Sequence, residues 1–295
     1  MSSHIEPPPP TTPSSYGTND EGEDLHPDQV LARALARRGD TFDEFKLLIR
    51  EKPATYDLIS KTAGYVHHYT GRGGDAQQLS HPMRELITLA MLAARGEHRF
   101  APNHVRRLYC LGVTHALMFE AASAMAPVTG WTTLAHVASA ILAANRPDYP
   151  FGRMPAGGEP AELTPFPELE CGAWQGEDPA SSERFTDEYA YIASIDPDLA
   201  RVAARWVDHC LCRDARAAAG ARLGPGPREL IAAAAACARG DATLAAGHMR
   251  RAYEHGMNRV QVLEAISCVL PMTGAMTLKI GVRAMRLADE TATQP

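Results

Sequence analysis

"MRELITLAMLAAR", residues 83–95, is the stretch that decides the fold, and "PRELIAAAAACAR", residues 227–239, repeats its pattern. Both stretches are rich in strong helix formers, and neither has a glycine or proline in its interior. After the first turn the side chains are apolar on every face, which is typical of a buried helix. Proline stands at the start of each stretch, and Gly96 and Gly240 follow its end. The pattern predicts two buried core helices.

The two stretches belong to a longer internal repeat with an offset of 144 residues. Residues 84–87 and 228–231 are both Arg-Glu-Leu-Ile, and His104 falls on His248. From residue 84 to residue 134 there are 22 identities in 51 aligned positions, without a gap. Since alternating strand patterns are absent, we interpret the chain as an all-α, duplicated helical bundle.

Composition divides the rest of the chain. Residues 1–26 are rich in proline, serine and acidic residues, which predicts a disordered tail. Residues 27–145 then form the first helical repeat, residues 146–182 a Pro/Gly-rich connector, and residues 183–295 the second helical repeat.

Charge and hydropathy exclude several classes of partner. The net charge is −6 and no Lys/Arg cluster is visible, so we expect no nucleic-acid partner. No apolar run reaches the roughly 18–20 residues of a membrane helix, so we expect no membrane partner. The start of the chain lacks the features of a signal peptide, and the six cysteines lack disulfide-framework spacing. These features predict a cytoplasmic protein with reduced cysteines.

A glutamate and a histidine recur at one spacing. Glu85 and His104 are 19 residues apart, and so are Glu229 and His248. An acid in an apolar helix is either a first-turn residue stabilised by the helix dipole or a buried group with a shifted pKa. An inward histidine is likewise either a core residue or an acid–base group. The recurrence favours a proton-transfer pair, while the structural alternatives stay open.

An arginine stands three residues after each histidine, on the same helix face. These residues are Arg107 and Arg251. Glutamate, histidine and arginine around one pocket would form a proton-transfer site for an anionic substrate, because a guanidinium binds carboxylates. The neighbouring Arg106 and Arg250 are expected to turn away into solvent.

Other motifs do not indicate a metal or cofactor. His67-His68 has no copy in the second repeat, and no metal-ligand spacing connects histidines 81, 98, 115 and 136. Cys210 and Cys212 are two residues apart and diverge on a helix, so a redox pair is not expected. Nucleotide-binding glycine motifs are absent. We therefore expect no cofactor.

Two segments carry a resemblance. "LSHPMRELITLAMLAARGEHRFAPNHVRRLYCLGVT" and "LGPGPRELIAAAAACARGDATLAAGHMRRAYEHGMN" resemble the core of the carboxymuconolactone decarboxylase and alkylhydroperoxidase D-like family. The resemblance covers residues 40–145 and 183–288. It implies an all-helical fold, a homo-oligomer (a dimer or trimer), and catalytic roles for Glu85, His104, Glu229 and His248.

The hydroperoxidase branch of that family places a C-x-x-C motif seven and four residues before the histidine. Here those positions hold Glu97 and Phe100 in the first repeat, and Asp241 and Leu244 in the second. Because peroxide reduction by disulfide exchange needs two thiols, thiol peroxidase activity is not expected.

The resemblance and the residues together predict a cofactor-independent, decarboxylase-like lyase for a small carboxylated substrate, such as a cyclic or lactone acid. Arg107 or Arg84 would hold the substrate carboxylate, and His104 would protonate the carbanion left by CO2. The remaining substrate-binding candidates are Phe100, Tyr109, Trp131 and Arg251. The pocket-lining positions of the first repeat hold more aromatic and polar side chains than those of the second, which favours the first repeat as the active one. The alternatives are an isomerase or cyclase with the same Glu/His pair, and a non-catalytic helical binding or assembly protein.

Overall fold

A computed structural model describes residues 25–38, 41–68, 78–147, 158–169, 186–213 and 218–292. Within these ranges the regular structure consists of thirteen α-helices and one short 3-10 helix, Pro167–Leu169, and contains no strand. The all-α prediction is confirmed. Most of the proposed disordered tail, residues 1–24, and much of the connector lie outside the described residues.

The described residues divide into two compact units. The first reaches residue 64 and contains α1 (Pro27–Arg38), α2 (Asp43–Glu51) and α3 (Pro53–His68), whose last four residues belong to the second unit. Its small core joins Val30 and Ala34 of α1 to Ile49 and Tyr56 of the next two helices. Burial of these apolar side chains stabilises the three-helix arrangement.

The second unit contains the remaining helices, which share one hydrophobic core. From the first repeat come α4 (His81–Ala94), α5 (Ala101–Cys110), α6 (His115–Thr129) and α7 (Thr132–Ala144). From the second come α8 (Asp187–Ile195), α9 (Pro197–Cys210), α10 (Pro225–Arg239), α11 (Ala242–Glu254), α12 (Arg259–Thr273) and α13 (Met276–Ala292). The starts of α4, α6, α7 and of α10, α12, α13 differ by 144 residues, the offset at which the sequence aligns with itself.

The central helices α4 and α10 form where the sequence predicts them. Ser80 caps α4 by accepting the Met83 N–H, and every residue from 83 to 93 is buried. Residues 225–237 of α10 are buried in the same way, and α10 ends at Gly240 in the left-handed conformation. Helices buried on all sides need no polar face, which explains their continuous apolar sequence.

The two repeats exchange equivalent hydrogen bonds. The Glu264 carboxylate of the second repeat accepts the N–H groups of Gln78 and Leu79 just before α4. The Glu120 carboxylate of the first repeat accepts the N–H groups of Arg222 and Leu223 just before α10. Each repeat therefore fixes the start of the other's central helix, and with it the position of that helix's glutamate.

Among the described helices, none has both the length and the apolar character that a membrane span requires.

Candidate active site

Glu85 lies in the second turn of α4 and is fully buried. His104, on α5, places its Nδ1 atom 2.6 Å from Glu85 Oε2. This is the short distance of a charge-assisted hydrogen bond. The histidine itself keeps 14% of its side-chain surface exposed. A buried carboxylate therefore orients an imidazole that solvent can still reach.

Two further basic side chains surround the other oxygen of Glu85. His81, one turn earlier on α4, has its Nε2 atom 3.4 Å from Oε1, and Arg107 has its Nη1 atom 3.5 Å from the same oxygen. Both side chains are partly exposed. The sequence did not predict a role for His81 at this site, although its position four residues before Glu85 places it on the same helix face.

The carboxylate of Glu85 is ionised in this setting. Burial alone would raise its pKa, but the His104 ring, its hydrogen bond, and the nearby His81 and Arg107 hold the pKa well below its ordinary value. An ionised carboxylate only accepts hydrogen bonds, so Nδ1 of His104 carries the proton of this bond. The Nε2 atom is then the nitrogen through which a neutral His104 accepts a proton.

His67 is a second imidazole beside this pair. It is buried at the end of α3, with its ring centroid 6.1 Å from that of His104 in an edge-to-face arrangement. Its Nδ1 atom lies 3.5 Å from Thr88 Oγ1, which itself donates to the Arg84 carbonyl oxygen. The aligned position in the second repeat holds Leu211, so no repeated signal indicated this histidine.

The second repeat has an equivalent pair in a different environment. His248 Nδ1 lies 2.6 Å from Glu229 Oε2, with both residues buried. The other oxygen, Oε1, is 2.8 Å from both Nε and Nη2 of Arg213. Burial works to raise the Glu229 pKa, but the Arg213 charge and the His248 bond lower it to about 2. Arg213 aligns with Tyr69, so the repeat did not reveal it either.

Comparison with known proteins identifies the region that carries the first pair. Residues 62–143 match the model of the carboxymuconolactone decarboxylase family. This part of the chain is therefore similar to that family.

A solved structure shares the fold over nearly the whole chain. It is that of a protein from Burkholderia xenovorans LB400, provisionally named a gamma-carboxymuconolactone decarboxylase subunit. The two are 16% identical and superpose with a TM-score of 0.51, over 90% of this chain and 98% of the other. At this identity the likeness shows the decarboxylase-type helical fold. No protein of curated function matches the sequence.

Among the predicted substrate-binding residues, Arg107 contacts the first pair, with its Nη1 atom 3.5 Å from Glu85 Oε1. Tyr109 is buried, and its hydroxyl interacts instead with His115 and Asn145. Trp131 precedes α7 with 67% of its surface exposed. Phe100, before α5, and Arg251, on α11, are half-buried.

The arginines of the first repeat occupy unequal positions. Arg84 is buried at the start of α4, like its counterpart Arg228 at the start of α10. The prediction that Arg106 turns into solvent is wrong, because this side chain is buried and donates to the backbone carbonyls of Ala144 and Arg146. It satisfies the end of α7, where carbonyl groups lack partners within the helix. Arg107, by contrast, is partly exposed and lies beside Glu85.

The first thiol position of the hydroperoxidase branch holds a carboxylate in each repeat here. Glu97 accepts the N–H of Arg99, and Asp241 caps α11 by accepting the N–H of Leu244. Burial raises the pKa of the Cys210 thiol to about 11 and that of Cys237 to about 12, which disfavours thiolates at these two positions. Among the described residues no group of three or more His, Cys, Asp or Glu side chains could hold a metal ion.

Proposed function

We propose that the chain is a cofactor-independent, decarboxylase-like lyase that acts by proton transfer on a small carboxylated substrate. The centre is the Glu85–His104 pair of the first repeat. The 2.6 Å bond between His104 and the buried Glu85 carries the proposal, because it leaves the partly exposed imidazole oriented and basic at Nε2. Glu229 and His248 belong to the equivalent pair, for which no reaction role is proposed.

The proposed reaction starts with the substrate carboxylate beside Arg107. The bond between the carboxylate carbon and its neighbour breaks, and the electron pair moves onto a conjugated carbonyl or lactone of the substrate as CO2 leaves. Protonated His104 then gives its Nε2 proton to the resulting carbanion equivalent and is reprotonated from solvent. In the net reaction, one carboxylate and one proton are converted to CO2 and a C–H bond.

The glutamate has a positioning role in this scheme. Its ionised carboxylate holds the His104 ring in one orientation and stabilises the imidazolium that must form before proton donation. His81 and Arg107 share its other oxygen, so a bound anion can draw Arg107 away without leaving the carboxylate uncompensated.

The name of the Burkholderia protein refers to a lactone carboxylic acid. That name describes the other protein, and for this chain it supports lactone carboxylates as the first substrates to assay. An isomerase or cyclase is the second candidate, favoured by His67. A second imidazole 6.1 Å from His104 would allow a proton to be removed at one carbon and returned at another.

The direct test measures CO2 release from lactone carboxylic acids and β-keto acids. His104→Gln should lower the rate by about a hundredfold or more, while His248→Gln should retain activity. Deuterium incorporation into substrate without CO2 release would instead support the isomerase. Equal rates for the wild type and His104→Gln would contradict the catalytic role of this pair and favour a binding or assembly protein.

We also propose a cytoplasmic location, supported by the absence of disulfides at Cys110, Cys210, Cys237 and Cys268.

Self-association is a further part of the proposal, through a surface of α8 and α9. This α8–α9 face consists of the exposed apolar residues Tyr191, Ile195, Leu199, Val202 and Trp206. No side chain of α8 is buried, and a helix of nine residues is marginal in water without packing. A second copy of the chain fits this face, because exposed acids (Asp196, Asp198) precede exposed arginines (Arg201, Arg205) along α9. Two-fold, antiparallel pairing of α9 with itself would place acids opposite arginines.

A further inference from the structure

The two glutamate–histidine pairs differ in access. Around Glu85 the exposed fractions of the side chains are 14% for His104, 37% for His81 and 23% for Arg107. Around Glu229 they are 4% for His248 and 3% for Arg213. The first pair is open to solvent at three side chains, whereas His248 and Arg213, which contact Glu229 directly, are both buried. Arg251, whose charge also acts on Glu229, is half-buried.

The partners also differ in how firmly they hold the carboxylate. The Nε atom of Arg213 donates a hydrogen bond to Glu229 Oε1 at 2.8 Å, and its Nη2 atom forms an ion pair with the same oxygen at the same distance. His81 and Arg107 approach Glu85 Oε1 only at 3.4 and 3.5 Å. A guanidinium remains charged at all ordinary pH values, so Arg213 neutralises Glu229 permanently. A partner at 3.5 Å that reaches solvent is readily exchanged for a substrate anion.

A tight turn after α9 directs Arg213 to the glutamate. The Arg213 N–H donates to the Asp208 carbonyl at 2.9 Å, and Cys212 adopts a left-handed φ of 54°. This is the arrangement of a helix C-terminal turn, in which glycine is usual because a Cβ atom disfavours positive φ. Among the described residues Cys212 is the one non-glycine with positive φ. The chain thus adopts an uncommon backbone conformation at the residue that precedes Arg213.

We propose that Arg213 closes the second site, so that the Glu229–His248 pair is a structural ion-pair cluster and the chain has one reactive centre. That the first pair is reactive rests on the proposed function, whereas the closure of the second site does not depend on it. Arg213 binds Oε1 of Glu229, His248 binds Oε2, and both of these side chains are buried. A substrate anion would have to displace a buried guanidinium to reach His248, and such a displacement leaves buried charges unpaired.

Histidine labelling of the native full-length chain with diethylpyrocarbonate tests the closure without any substrate. Peptide mass spectrometry would give the modification rate of each histidine. His104 should react at least about tenfold faster than His248, because a buried ring reacts only when the structure opens locally. Equal rates for the two histidines in the wild type would overturn the proposal, whatever the fate of any variant.

Two matched variants then assign the closure to Arg213. Arg213→Gln should raise the His248 rate at least about tenfold and leave the His104 rate unchanged, whereas Arg107→Gln should leave His248 protected. Near-ultraviolet circular dichroism would check that each variant is folded. A folded Arg213→Gln variant with His248 still protected would contradict the role of Arg213. The proposed lyase would fail separately, by absence of turnover with His104 labelled as expected.

Discussion

Arg228 Nη2 lies 2.7 Å from Glu120 Oε2, and this ion pair joins the central helix of the second repeat to α6 of the first. The Arg228 side chain is 5% exposed, and its other nitrogens donate to the carbonyls of Leu223 and Cys210. The same carboxylate accepts the N–H of Leu223. Glu120 therefore compensates the buried charge of Arg228 and also accepts the backbone N–H of Leu223, just before α10.

Glu120→Gln should destabilise the fold by about 3 kcal/mol, since it leaves the buried Arg228 without its compensating charge. Urea unfolding followed by circular dichroism would measure the loss. Asp43→Asn is the matched control, because the Lys46–Asp43 pair is exposed at both ends and its loss should change stability by less than about 0.5 kcal/mol. Similar losses in the two variants would contradict the importance of the inter-repeat pair.

Acid should destabilise the chain through Glu229. Its pKa in the folded state is about 2, below the ordinary 4.5, so the ionised carboxylate stabilises the fold above about pH 4.5. This stabilisation, about 3 kcal/mol, should be lost as the pH falls from 4.5 towards 2. Urea unfolding across that range should give a shallower pH dependence for Glu229→Gln than for the wild type. Parallel curves would mean that Glu229 has an ordinary pKa in the folded protein.

His67→Leu should lower turnover by about tenfold if His67 assists the chemistry beside His104. The substitution introduces the residue found at the aligned position 211, so the change in volume is one the fold already accommodates. The pH profile of kcat should change shape, since one titrating group is removed. A change in KM alone, or an unaltered profile, would leave His67 a packing residue.

Val202→Asp should abolish self-association through the α8–α9 face, because it places a charge in the middle of the apolar stripe. Sedimentation velocity over a wide concentration range would follow the oligomer. Leu142→Asp is the control, as Leu142 is 71% exposed on α7, outside that face. A monomer at all concentrations, or an oligomer that Val202→Asp leaves intact, would contradict the proposed face.

Gly112 and the aligned Gly256 provide a matched pair of substitutions that tests whether the connector packs against Gly112. Both have positive φ, 75° and 87°, and alanine in that conformation costs about 1–2 kcal/mol. A Cβ on Gly112 would overlap the Thr164 side chain, whereas one on Gly256 meets nothing within 4 Å. Gly112→Ala should therefore destabilise the fold more than Gly256→Ala by at least about 1 kcal/mol in urea unfolding. Equal losses would mean that the segment around Thr164 is not held against Gly112.

Much of the core could be predicted from the sequence. The helices α4 and α10 depend on local propensity, on prolines at their starts and on an apolar surface that must be buried wherever it packs. The 19-residue spacing indicated the pairs Glu85–His104 and Glu229–His248, whose catalytic role stays a prediction. Their geometry follows from a short corner between consecutive helices, which limits how far the two side chains can separate.

The surroundings of the pairs could not be predicted in the same way. His67 lies beside His104, and Arg213 contacts Glu229. They stand 18 and 16 residues before Glu85 and Glu229, at helix ends whose positions are set by packing alone. Neither is repeated at the aligned position, so duplication gave no signal. Arg106 was misassigned because its partners, the carbonyls of Ala144 and Arg146, lie at the end of another helix.

The sequence by itself determined that the chain is helical, where its two buried central helices run, and which acid and histidine each repeat brings near the other. These properties depend on interactions within a few turns of the chain. Only the tertiary structure decided that the second oxygen of Glu85 lies beside two partly exposed, more distant partners, while that of Glu229 is held by a buried arginine. That difference depends on which distant side chain reaches the second carboxylate oxygen, and a charge buried at such a place must be compensated by whatever the packing brings to it.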